Sequence, residues 1–384
     1  MTLPLLPLLA AGILSTRVGE SPWGRRLAGG VDLLALVLAA AHWNARDADV
    51  FGLFLGATIL GTLVFVVLDP EPNVESLCRL HLGASLALVA VSAREIPWSV
   101  GAILLLGLLL RRERLFLAPG LVALAGLGGL FATEWERLGL GLLVLGLSAF
   151  WLLVSREVLR SSPARLVTRM ASSFVLLVAV YSVHLRSGAQ FPEGGATIAF
   201  AALTLGVLGV LGATRVTTFL TAFALSRAGL VFLALPAGVH GRGPGLLALA
   251  ASGVSLLLLA AALDGIEVLD DVARLGSSPR RLVLTWGALS AASFPPFPGF
   301  AAAFPLASAL FDRGYPGSLV AAAALLFLLV LGAMRVVARA WDSGEARTVE
   351  AEVGRAAIAL AVLASWFFTI APARLAEIAR AAGL

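Results

Sequence analysis

Long apolar runs follow one another along almost the entire chain, joined by short polar segments, and that pattern admits few folds. A helix crosses the hydrocarbon core of a bilayer with about 20 largely apolar residues. About fourteen such stretches can be read, some of them short: roughly 3–16, 27–43, 49–68, 80–93, 96–110, 115–133, 138–155, 166–185, 196–213, 216–236, 244–263, 282–309, 317–338 and 356–377. Apolar and polar residues do not alternate within them, which excludes a transmembrane β-barrel. Only 13% of residues are charged and 59% are hydrophobic, whereas a soluble domain carries about 25% charged residues. The expected class is an all-α polytopic membrane protein, with 1–384 as a single membrane domain. The first run is short and lacks the basic flank of a cleaved signal peptide, so it is read as a helix of the fold.

Every one of the 28 basic side chains is arginine; the sequence contains no lysine. The pI near 10.7 invites a nucleic-acid reading, but the net charge is only +5. No basic run exceeds a pair, and membrane topology accounts for the arginines better. Seventeen of them fall in the odd-numbered loops and 8 on the opposite side, with Arg169, Arg227 and Arg335 within or at the edges of spans. Positive charge concentrates on the cytoplasmic side, so both termini are expected outside a plasma or inner membrane. The single cysteine, Cys78, allows no intrachain disulfide and no thiolate metal cage. It is expected at a loop edge.

The most specific local feature is Ser293-Phe-Pro-Pro-Phe-Pro-Gly-Phe300, which places Pro295, Pro296, Pro298 and Gly299 inside an apolar run. Each proline removes a backbone donor and clashes with the preceding turn, so the helix is expected to break at Pro295–Gly299. Irregular backbone at membrane depth survives where it is buried in protein or lines a polar cavity. In transporters such breaks hold ions or substrates. The other reading is a tight loop between two separate helices.

At this motif the chain resembles the antiporter-like membrane subunits of respiratory complex I (L, M and N type), of Mrp antiporters and of membrane-bound hydrogenases. Their G-I-P-P-L-x-G-F-x-x-K-F is similar to Ser293–Phe304, read S-F-P-P-F-P-G-F-A-A-A-F. Further likenesses lie at Pro163–Tyr181, at Arg215–Gly229 and at Ala250–Leu259, so the resemblance covers roughly residues 137–340 and is fainter before them. It implies about fourteen spans with two inverted five-helix repeats. The corresponding division is 1–78 for N-terminal helices, 79–190 and 191–340 for the repeats, and 341–384 for a polar cytoplasmic segment and last helix.

The resemblance also implies a proton path through a glutamate and several buried lysines, and here the chain departs. The matched lysine positions are Leu177, Val254, Ala303 and, near the seventh helix, Phe150. The glutamate falls near Ile103 and a histidine becomes Ala250. A buried lysine relays protons because burial brings its proton affinity within reach, whereas an alkyl group binds none. The lysine relay is therefore expected to be absent.

The intramembrane polar candidates are Arg227, Arg169, His184 and Asp264. Arg227 is read either as an ion-path or lipid-headgroup contact, or as an arginine held by the helix-end carbonyls of a neighbour. Arg169 is one turn from Arg165 and can snorkel to the surface. His184 ends a span beside Arg186. Asp264 opens an acidic run through Asp271, which reads as a solvated face and lacks an EF-hand pattern. There is no phosphate-binding loop, no paired histidines at ligand spacing and no nucleophile set, so no catalytic residue, metal site or cofactor is expected. Pairs such as Gly139 with Gly146, and Gly206 with Gly209, suit close helix packing. Trp341–Arg355 suits an amphipathic surface helix or a docking site.

These features leave three roles. The first is a non-catalytic membrane-arm subunit of a complex resembling NADH:quinone oxidoreductase or hydrogenase. Its partners would be other membrane subunits, the lipid bilayer and, through other chains, a quinone-reducing or hydrogenase peripheral arm, with no nucleic acid. The second is the membrane subunit of an inorganic-carbon uptake or Mrp-like cation/proton antiport complex. The third is a stand-alone transporter of a small solute, disfavoured by the scarcity of intramembrane polar groups.

Overall fold

The apolar runs fold as helices because a helix satisfies its own backbone donors and acceptors where water is absent. The computed structural model describes residues 3–43, 50–67, 74–93, 96–109, 166–187, 195–275, 278–312, 316–342 and 355–370. Among them are α1 (Leu5–Ser15), α2 (Arg17–Glu20), α3 (Pro22–Trp43), α4 (Val50–Val67), α5 (Val74–Ser92), α6 (Ile96–Leu109) and α7 (Leu166–Ser187). There follow α8 (Gly195–Gly212), α9 (Val216–Phe232), α10 (Val239–Leu263), α11 (Ser278–Ala291), α12 (Pro298–Asp312), α13 (Pro316–Trp341) and α14 (Arg355–Ile370). The expected runs at 115–133 and 138–155 lie outside the described residues, as do Phe150, Gly139, Gly146 and residues 343–354 of the polar stretch. The relation between the two expected repeats also turns on residues outside this set.

The chain divides into two compact units, Met1–Leu153 with Thr168–Pro192, and Val154–Val167 with Glu193–Leu384. In the first, α3 packs on α4 and α1, while α5 packs on α1, α6 and α4. α5 begins six residues before the apolar run at 80–93. Glu75 favours the helix N-terminus electrostatically and pairs with Arg79 one turn on. That early start places Cys78 in the second turn of α5, against the loop edge expected of it, where its thiol donates to the Ala11 carbonyl at 3.4 Å.

In the second unit α9 is central and buried nearly all round. It meets α8 at backbone distance, because a methyl group added at Gly206 would lie 2.4 Å from the Ser226 nitrogen. One added at Gly229 would lie 2.6 Å from the Leu203 nitrogen. α10 packs on α9, α11 and α12, and α13 lies against α8 and α11. The outward side of α13 carries Val320, Phe327, Leu331 and Met334, an exposed apolar stripe. Among the described residues, Val74–Ser92, Val216–Ala237, Gly241–Leu263 and Gly317–Trp341 are each long and apolar enough to cross a membrane unaided. Shorter apolar helices accompany them, including Leu5–Ser15, Ala196–Gly212 and Pro298–Phe311.

The run at 282–309 is broken, as its prolines require. α11 ends at Ala291 and α12 starts at Pro298, so the break itself occupies residues 292–297. Pro298 takes the first helical position, where a missing donor costs nothing, and Gly299 follows within the helix. The backbone of the break is satisfied locally: Ser293 N donates to Ser290 O at 3.0 Å, Phe294 N to Leu289 O at 2.9 Å, and Phe297 N to Phe294 O at 3.0 Å.

Candidate functional site

Arg227 sits on α9 and is fully buried, with no exposed surface. With α9 enclosed on all sides, the side chain cannot reach an interface and must find partners inside the unit. Its Nε donates to Ser252 Oγ on α10 at 2.9 Å. Nη1 donates to Ser293 Oγ at 2.6 Å and to Ala291 O at 3.2 Å. Nη2 has no hydrogen-bond partner among the described residues. Among the described residues no carboxylate meets this guanidinium. Its charge is instead stabilised by hydroxyl dipoles and by the last carbonyl of α11, which lies at the negative end of that helix.

The guanidinium therefore rests on the helix break. Ser293 has φ of 60°, left-handed backbone that a non-glycine residue adopts only when its surroundings hold it there. The Arg227 hydrogen bond to its hydroxyl is one such restraint. On the far side, Gly299 N donates to Ser290 Oγ at 3.2 Å, and the Ser290 and Ser255 hydroxyls are linked at 2.7 Å. A Cβ at Gly299 would lie 1.7 Å from Ser290 O, so only glycine lets α12 begin this close to α11. One arginine and four serines thus join α9 and α10 to both sides of the break.

Asp264, another sequence candidate, is not brought into this cluster. Asp264 accepts the Leu166 N–H at 3.3 Å, at the N-terminus of α7, where a carboxylate is favoured. Buried Arg280 donates to the carbonyls of Ala262, at 2.7 Å, and of Asp264, closing the C-terminus of α10. Arg335 does the same for α8, donating to Leu211 O at 2.7 Å, Ala213 O at 2.8 Å and Val210 O at 3.3 Å. Arg169 and His184 lie on α7. The acidic run beyond Asp264 docks by its backbone, Leu269 N donating to Thr214 O at 2.9 Å, and Asp270 pairs with Arg339 at 2.7 Å. The positions matched to relay groups are apolar and enclosed at Leu177, Ala303 and Ile103, and half-buried at Val254 and Ala250.

One pair escaped the sequence reading. In the first unit Asp32 of α3 and His81 of α5 are both fully buried, with Nε2 and Oδ2 2.7 Å apart. Nδ1 of His81 lies 2.8 Å from Leu77 O. The signal was present, since each is an ionisable residue inside an apolar run. Their partnership across 49 residues was not legible.

These features define a polytopic helical membrane protein with a proline-broken helix braced by a buried arginine. No protein-family model and no curated protein matches the sequence. Among solved structures, a chain of respiratory complex I from Thermus thermophilus with bound aureothin is similar with a TM-score of 0.77 and 19% identity. That match covers 98% of this chain and 99% of that one. A chain of the membrane-bound sulfane sulfur reductase, an archaeal respiratory membrane complex, gives 0.72 at 13% identity, covering 100% and 96%. A chain of the Mrp complex from Dietzia sp. DQ12-45-1b gives 0.70 at 17% identity, also covering 100% and 96%. The resemblance seen at residues 137–340 is therefore a likeness of fold along the whole chain.

Proposed function

We propose that the chain is an antiporter-like membrane-arm subunit of a multisubunit, redox-linked ion-translocating complex of the NADH:quinone oxidoreductase or hydrogenase kind. The observation that carries this reading is the end-to-end fold likeness to a chain of respiratory complex I, with nearly equal coverage of both chains. Within such a complex the chain lacks the lysine relay, because the matched positions are alkyl or aromatic and no lysine exists elsewhere to take their place. Arg227 then acts as a brace: a permanently charged group held by three acceptors fixes the helix break and offers no proton to exchange. The proposal includes inverted repeats at 79–190 and 191–340, odd loops in the cytoplasm, and both termini outside a plasma or inner membrane.

Affinity purification from native membranes in a mild detergent tests the assignment. Co-purifying flavin and iron–sulfur subunits are expected, and a homodimer without other subunits would overturn it. Proton translocation per redox turnover in sealed vesicles then separates brace from conductor. Arg227→Ala is expected to leave that ratio unchanged in whatever complex assembles; a stoichiometric loss with assembly and turnover intact would make the chain a conductor. A reporter fused at Leu384 should be active only outside the cytoplasm.

A further inference from the structure

The Asp32–His81 pair has a property that the arginine cluster lacks. A carbonyl oxygen only accepts, so the 2.8 Å contact of His81 Nδ1 with Leu77 O requires a hydrogen on Nδ1. The 2.7 Å contact between Nε2 and Asp32 Oδ2 then requires one further proton between two groups that would otherwise face each other with lone pairs. That proton can be drawn on either atom, as imidazolium with carboxylate or as imidazole with carboxylic acid. Both drawings leave the pair neutral. Losing the proton leaves one negative charge and gaining another leaves one positive charge, so the pair is a unit that takes up or gives up single protons.

Among the described residues, no further charged group is hydrogen-bonded to the His81 ring or to the Asp32 carboxylate. α1, α4 and α6, which pack against α3 and α5, carry no titratable residue. α2 carries Arg17 and Glu20, both exposed. On α3 the charged groups are half-buried Arg25 and exposed Arg26, two turns or nearly so before Asp32, with His42 ten residues beyond. On α5, Glu75 and Arg79 pair with each other, and Cys78 donates to Ala11 O. The second carboxylate oxygen, Asp32 Oδ1, is buried and among the described residues has no hydrogen-bond partner. A buried carboxylate oxygen ordinarily finds a donor.

We propose that Asp32 and His81 form a proton-binding site, holding one exchangeable proton between Nε2 and Oδ2. The step is an exchange with water: hydronium gives its proton to the pair and leaves as water, or the pair returns it to water or hydroxide. No redox partner is involved. The site places a titratable group in a membrane chain otherwise stripped of relay lysines. It stands on geometry within the first unit, whichever complex contains the chain.

The test uses the full chain in lipid nanodiscs. Histidine ring nitrogens are followed by NMR and the side-chain carboxyl stretch by infrared spectroscopy, over about pH 4 to 10, a range that brackets free histidine and carboxylate. His81 is assigned by replacing His42, His184 and His240 with glutamine one at a time, so the pair itself stays intact. The expected result is a His81 ring transition and a carboxyl band that move together, with one proton per chain exchanged in that step. In Asp32→Asn the carboxyl component and the coupled proton should both be lost. Ring and carboxyl signals that stay fixed over the whole range in the wild-type chain would overturn the proposal and leave the pair as a static tie between α3 and α5. So would a one-proton step retained in folded Asp32→Asn.

Discussion

The two compact units each bury an ionisable group completely, and they neutralise it in opposite ways. Arg227 in the second unit has no acidic partner among the described residues and is surrounded by dipoles: two serine hydroxyls and the final carbonyl of α11. His81 in the first unit faces a carboxylate of equal burial. The difference decides what each can do. Dipoles stabilise a fixed charge and cannot accept its proton, so we read the arginine cluster as mechanical. An acid–base pair shares a proton that either partner can hold, so on our proposal the Asp32–His81 pair has a proton to exchange that the arginine cluster lacks.

Substitutions at each centre should expose that difference in thermal unfolding of the detergent-solubilised chain. The largest effect is expected at the helix break. Gly299→Ala forces a methyl group onto the Ser290 carbonyl and should prevent accumulation of folded protein. Next comes His81→Leu, which strands a buried carboxylate and should cost about 3–5 kcal/mol. The double replacement Asp32→Leu with His81→Leu should recover most of that loss, because no uncompensated charge remains. Arg227→Met should cost less, about 1–3 kcal/mol, since it removes a charge together with its hydrogen bonds and leaves mainly one carbonyl unsatisfied. A loss at Arg227 exceeding that at His81 would reverse the comparison.

Smaller changes sharpen it. Ser293→Gly removes an acceptor of Arg227 but also relieves the left-handed backbone, so the two effects oppose and the net change should stay within about 1 kcal/mol. Arg339→Gln breaks the exposed pair with Asp270 and should shift stability by about 0–1 kcal/mol, less at high salt. Both read as thermal shifts, and a large loss at Arg339 would mean that the acidic loop carries more of the second unit than its exposed geometry indicates.

Much of the fold was legible because a membrane enforces local rules. An apolar run must close its own backbone hydrogen bonds, so α4, α8 and α13 were readable from composition alone. Three prolines within 295–298 cannot continue a helix, and the break, residues 292–297, takes in the first two while Pro298 opens α12. Helix starts were harder. α5 begins at Val74 because Glu75 and Arg79 stabilise a polar first turn that an apolar count passes over. The short α2 was invisible for the same reason. Of the polar candidates, Arg227 stood out because an arginine deep in an apolar run is rare. Asp32 and His81 met that criterion too, and were passed over only because each was read without its partner.

The sequence by itself determined the solvent of this protein, the helical class, the site of the break and the absence of any lysine to relay protons. These follow from composition and from residues adjacent in the chain. Only the tertiary structure decided which buried charges are compensated and by what. Arg227 reaches acceptors 25, 64 and 66 residues away, and His81 finds its acid 49 residues away. Such partnerships depend on which helix faces meet. That is set by close packing, as at Gly206 and Gly229, and a one-dimensional pattern of apolar runs does not record it.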